Sequence, residues 1–145
     1  MIVERIVVGV DGSDESKKAL HWAAEAARLR KGALEIVTVY SPPFVPRGVM
    51  NAGQIEEILN APVHEAEQVL QKFAGEVEGV ETVRTYAVAN ANPAHALIRH
   101  SREAAMLVVS ARGLGAFRRL VLGSVSQQVA QHAECPVVII RPEEE

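Results

Sequence analysis

Four short runs of nearly uninterrupted aliphatic residues constrain this chain most: Ile6 to Val10, Leu34 to Tyr40, Met106 to Val109 and Val137 to Ile140. A strand that is apolar on both faces must be covered on both faces, so such runs belong inside a parallel sheet flanked by helices. A fifth run, Thr82 to Val88, carries Thr82, Arg84, Thr85 and Tyr86 and reads as an edge strand. Helical patterns fill the gaps. Ser13 is an N-cap, Asp14 and Glu15 suit a first turn, and Leu20, Ala23, Ala26 and Ala27 form an apolar stripe that Gly32 is expected to end. Ile55, Ile58, Leu59, Val63, Ala66, Val69, Leu70, Phe73 and Val77 recur at helical spacing, with Pro62 expected to kink or split the helix near its start. Asn92 with Pro93 opens a third helix, and Ser124 with Gln127 predicts a capping box for a fourth.

The resulting order, βαβαβαβαβ, implies right-handed crossovers and an open, doubly wound parallel α/β sheet of five strands with four helices. Strand orders 2-1-3-4-5 and 3-2-1-4-5 both satisfy it. At 145 residues, 48% apolar and 23% charged, the chain has the size and balance of one globular domain, 1–145, and not of a disordered or coiled-coil chain. A formal charge of −3 argues against nucleic acid as a partner. The lone Cys135 cannot form an internal disulfide, which suits a reducing, cytoplasmic setting. The apolar stretch at Ile6 to Val10 is far short of the ~20 residues that span a bilayer, so a membrane partner is not expected.

Ligands of open α/β sheets bind beyond the carboxyl ends of the strands, where the winding direction switches. This points to Gly9 to Ser13, Val39 to Ser41 and Ser110 to Ser126. The last segment leaves a strand, places Gly113 and Gly115 in a turn and enters a helix through Gly123 and Ser124. Small residues let backbone N–H groups approach a ligand, and a helix N-terminus favours an anion. From Ala104 to Ala133 there is no acidic residue, whereas Arg112, Arg118 and Arg119 all lie there. Turn punctuation and a solvated arginine face are the competing readings of the same residues. Asp14 and Glu15 at the first helix would repel a phosphate, which leaves the fourth helix as the anion site. The five histidines are scattered without carboxylates at ligand spacing, so no metal site is expected. No nucleophile elbow and no Walker lysine is present, and no catalytic residue is assigned.

Taken together, Val7-Val-Gly-Val-Asp-Gly-Ser, Asn92-Pro-Ala, Gly113 with nine residues to Gly123-Ser124, and Cys135-Pro-Val-Val-Ile-Ile resemble the universal stress proteins over nearly the whole chain. ATP-binding members of that family carry Gly-x2-Gly-x9-Gly-Ser/Thr. This chain fits from the second glycine onward, with Ser110 in place of the first. Met106 stands where the family usually has Asp, and reads as a packing difference.

The resemblance implies a Rossmann-like or flavodoxin-like fold with strand order 3-2-1-4-5. It places phosphates along Gly113, Gly123, Ser124 and Ser126 near Arg112, with Gly9, Val10, Asp11 and Val39 on the adenine and ribose side. Val109, Ser110 and Val125 complete the implied set. It further implies ATP or AMP as ligand, with Mg2+ accompanying the phosphates, and a homodimer through Val137 to Ile140. The implied function is a stress-response module that signals by nucleotide occupancy, with slow hydrolysis at most. The alternative within the family is a dimeric interaction module that binds no nucleotide. A third class, an adenylating or ATP-pyrophosphatase relative, would carry a Ser-Gly-Gly-x-Asp-Ser loop where this chain has Asp11-Gly-Ser-Asp.

Overall fold

Each aliphatic run becomes a strand, and each amphipathic pattern a helix. The computed structural model describes residues 3–48, 50–112 and 122–142. The elements are β1 (Arg5–Gly9), α1 (Asp14–Arg30), β2 (Ala33–Tyr40), α2 (Ala52–Ala74), β3 (Thr82–Ala89), α3 (Pro93–His100), β4 (Met106–Ser110), α4 (Ser124–His132) and β5 (Val137–Ile140). All strand pairs are parallel, in the order β3-β2-β1-β4-β5, which decides between the two orders the alternation allowed. The polar third strand is indeed at an edge.

Strand alternation divides the core into two layers. Ile6, Val8, Leu34, Ile36, Met106 and Val108 pack with Leu20, Leu70 and Phe73 under α1 and α2. Val7, Val37, Leu107 and Val109 pack with Leu97 and Val129 under α3 and α4. Complete burial of each such side chain contributes about 1.5–3 kcal/mol. Met106 therefore fills core space as its apolar character requires, and Cys135 packs, half-buried, against the second layer.

Four local expectations need correction. Lys31, not Gly32, takes the left-handed C-cap of α1, with φ 52°. Its N–H reaches the carbonyls of Ala27 and Arg28, a tie that offsets the cost of a side chain in this region. Pro62 does not split α2, which runs from Ala52 to Ala74. That helix starts at Asn51, whose side chain accepts from the Gln54 N–H at 2.8 Å while Gln54 returns a bond to the Asn51 N–H at 3.0 Å. The segment from Ser41 to Gly53, whose prolines and glycines predict one long loop, thus ends at Asn51, and Gly53 is helical. Finally, Ser124 is the first residue of α4, and Gly123 is its N-cap without a side-chain bond, so the expected Ser124–Gln127 box is not formed. The Gln127 side chain donates instead to the Leu122 carbonyl at 3.2 Å.

The amino end of the sheet carries a polar centre. Glu35, inside β2, is 3% exposed. Its Oε1 accepts from Arg5 Nε at 3.1 Å and Nη2 at 2.9 Å and lies 3.0 Å from His100 Nε2; its Oε2 accepts from Arg84 Nη1 at 3.3 Å and Tyr86 Oη at 3.5 Å. Arg5 also donates to the carbonyls of His100 and Arg102, so it ties the end of α3 to the sheet. Burial pushes the Glu35 carboxyl up, but the hydrogen bond and charge of Arg5, and then those of His100, hold it below its ordinary value. The same hydrogen bond raises the Arg5 guanidinium.

Candidate functional site

At the carboxyl end of the sheet β1 and β4 are neighbours whose chains leave toward opposite faces, β1 into α1 and β4 toward α4. This is the switch point where a crevice forms in doubly wound sheets. The β1 side is built from a self-capped turn. Asp11 Oδ1 accepts from the Ser13 N–H at 3.0 Å and from its hydroxyl. Ser13 Oγ in turn accepts from the Ser16 N–H at 3.1 Å as the N-cap of α1. Gly12 has φ +88°, which a side chain rarely adopts, and so makes the turn possible. Gly9 lets α3 come close, because a Cβ there would meet Leu97 Cδ1 at 2.8 Å.

The β4 side is built around Ala111. Its N–H donates to Ile140 O at 2.8 Å, and its carbonyl accepts from the Gly123 N–H at 2.6 Å and from the Ser126 hydroxyl at 2.8 Å. The start of α4 is thereby anchored on the exit of β4. Ser110 donates its hydroxyl to the Arg112 carbonyl at 2.9 Å, closing the turn from within. Among the described residues only Lys31 and Glu103 have positive φ without being glycine, so Ser110 sits without backbone strain where the motif has glycine.

These contacts sort the sequence-predicted residues. Gly9, Asp11, Ser110, Arg112, Gly123, Ser124, Val125 and Ser126 fall at the ends of β1 and β4 and the start of α4. Val39 lies farther along, at the end of β2, two residues past the Val37 that pairs with Gly9. The side chains of Val10 and Val109 are buried in opposite core layers, which leaves backbone as what they offer a ligand. The Gly123 amide and the Ser126 hydroxyl are already engaged inside the protein. The Ser124, Val125 and Ser126 amides belong to the first turn of α4, where helix geometry supplies no acceptor; among the described residues none is assigned to them. Ser124 is exposed. Gly113, Gly115, Arg118 and Arg119 lie outside the described residues.

The site has a residue whose orientation sequence reasoning missed. Glu15, in the first turn of α1, faces Arg112 at the exit of β4, with Oε1 3.8 Å from Nη2. The pair joins segments far apart in the chain, and no local spacing announces it. Among the described residues no cluster of three or more His, Cys, Asp or Glu side chains suits a metal ion, and no helix is long and apolar enough to cross a membrane.

Comparison with known proteins identifies the family of the chain. The profile of the universal stress protein family matches residues 3–141. The universal stress protein YxiE of Bacillus subtilis is 33% identical over 147 residues, covering 94% of this chain and 98% of its own length. Mycobacterial universal stress proteins at 33–37% identity are longer, and this chain spans 48–49% of them. A solved universal stress protein in complex with cAMP is 27% identical, with a TM-score of 0.72 over 99% of this chain and 100% of its own. One from Archaeoglobus fulgidus in complex with dAMP is 25% identical, with a TM-score of 0.59 over 97% of this chain and 99% of its own. The chain belongs to the universal stress protein family.

Proposed function

We propose that residues 1–145 act as one nucleotide-binding domain that takes ATP or another adenine nucleotide at the carboxyl end of the sheet and signals stress by its occupancy. The observation that carries this reading is the first turn of α4, which is held against β4 through Ala111 and whose amides have no acceptor assigned among the described residues. Oriented amides at a helix N-terminus bind phosphate without a lysine. Gly113, Ser124, Val125 and Ser126 would hold the phosphates with Arg112 beside them, and Gly9, Val10, Asp11, Val39 and Val109 would line the sugar and base side. Two relatives of the same fold are solved with cAMP and with dAMP, which supports an adenine nucleotide. Ser110 fits this role because its hydroxyl closes the turn within the protein instead of projecting as a clash. Mg2+ would accompany the phosphates.

In this reading occupancy and not turnover is the output, with hydrolysis slow at most. A homodimer through β5 completes the reading. The strand lies at the sheet edge with all four residues half-buried, and an aliphatic edge without a partner is an association hazard. A cytoplasmic location agrees with the lone thiol. Calorimetric titration tests the core of the proposal: ATP, AMP or cAMP should bind at one site per chain, and GTP more weakly. Absence of heat and of any thermal stabilisation with all three adenine nucleotides would instead favour the interaction module that binds no nucleotide.

A further inference from the structure

Within the proposed nucleotide site, we infer that Glu15 serves as an internal anion that a phosphate must displace, so that it sets how strongly the site prefers phosphorylated ligands. The inference rests on the nucleotide-binding reading above. Arg112 cannot easily leave its place. Its side chain is 16% exposed, its carbonyl accepts the Ser110 hydroxyl, and the residue before it is bonded to β5. Glu15 is the looser partner, with a third of its side chain open to water. The two charged groups are 3.8 Å apart, beyond the range of a charge-assisted hydrogen bond, so they attract without directional commitment. A phosphate oxygen within hydrogen-bond range of the guanidinium would hold it more tightly than the carboxylate does at 3.8 Å. A nucleotide therefore meets a site where the guanidinium is already facing an anion. Binding becomes an exchange of one anion for another, in which the carboxylate swings out to water. An unphosphorylated nucleoside needs no such exchange.

Removal of the Glu15 charge should therefore strengthen nucleotide binding and leave nucleoside binding alone. The decisive experiment titrates ATP and adenosine by calorimetry into wild type, Glu15→Gln and Asp14→Asn at low and high salt. Asp14 is exposed on the same turn, and its substitution removes the same formal charge from the same helix end without touching the Glu15–Arg112 pair. Glu15→Gln should bind ATP roughly two- to fivefold more tightly, the range set by releasing one partly exposed ion pair. Adenosine affinity should not change, Asp14→Asn should show a smaller gain, and salt should shrink the difference. Equal gains from the two variants would overturn the inference, because general repulsion would then explain both. Unchanged or weaker ATP binding by Glu15→Gln, with wild type still binding, would overturn it and leave the proposed function standing. No ATP binding by any of the three folded proteins would overturn both. Binding that appears only in Glu15→Gln would support the inference.

Discussion

The two ends of the sheet use similar residues to opposite effect. At the amino end, a glutamate, two arginines, a histidine and a tyrosine from four elements converge, and both oxygens of Glu35 have partners. At the carboxyl end, Asp11 and Ser13 satisfy each other within one turn, and Glu15 faces Arg112 at 3.8 Å without a hydrogen bond. A closed network holds a fold together because a buried polar group left unpaired is costly. At the carboxyl end the first-turn amides of α4 have no acceptor assigned among the described residues, and there binding has something to gain. The difference teaches that charge alone does not mark the proposed site; helix-end amides with no acceptor assigned among the described residues do.

The largest expected effect comes from breaking the closed end. Arg5→Met would leave Glu35 buried with Arg84, Tyr86 and His100, and should cost about 3 kcal/mol, at the low end for a buried pair because the Arg5 side chain is 30% exposed. Chemical denaturation measures it, and a loss under about 1 kcal/mol would show that the network is not a strong clamp.

At the other end the effect depends on ligand. ATP at one hundred times its Kd should stabilise the wild type by about 2.7 kcal/mol. Gly123→Val should erase that gain, because its Cβ would sit 3.3 Å from the Ala111 carbonyl and crowd the anchor of α4. A thermal shift retained by the folded variant would clear this loop of a phosphate role.

A pH series sharpens the contrast further. The folded Glu35 carboxyl titrates below its unfolded value, so its share of stability is complete above about pH 4.3 and fades as pH falls through the lower folded value. The stability gap between wild type and Glu35→Gln should accordingly be widest near pH 6 and narrow toward pH 3. A gap of constant size would mean that ionisation of Glu35 contributes nothing.

The smallest effect is local. Ser13→Ala removes the N-cap bond to Ser16 and the Asp11 contact, and should cost about 1 kcal/mol in urea titrations. A neutral substitution would mean that Asp11 caps the turn alone.

Much of this architecture was legible in the sequence because it is written in local patterns. The aliphatic runs gave strands within a residue of their ends, Ser13 and Asn92 cap their helices as expected, and the polar run from Thr82 became the edge. Strand order needed the family resemblance, since alternation alone left two arrangements open. The misses have physical causes. Lys31 holds the left-handed position because its N–H finds two carbonyls, which composition does not reveal. Gly123 caps α4 because Ala111 accepts its amide, a tertiary bond across a long segment. The Glu35 network and the Glu15–Arg112 pair depend on residues 97 and fewer positions apart meeting in space, as when Arg5 reaches Arg102. The one local hint at the first was a glutamate set between Leu34 and Ile36 in a strand otherwise built for burial.

Amide chemical-shift mapping during an ATP titration tests the central claim most directly, because it reports on both ends of the sheet at once. The account predicts shifts concentrated at Gly9 to Asp11, Val39, Ser110 to Arg112 and Ser124 to Ser126, with Arg5, Glu35, Arg84 and His100 undisturbed. Shifts gathered around Glu35, or none at any residue with ATP at millimolar concentration, would contradict it.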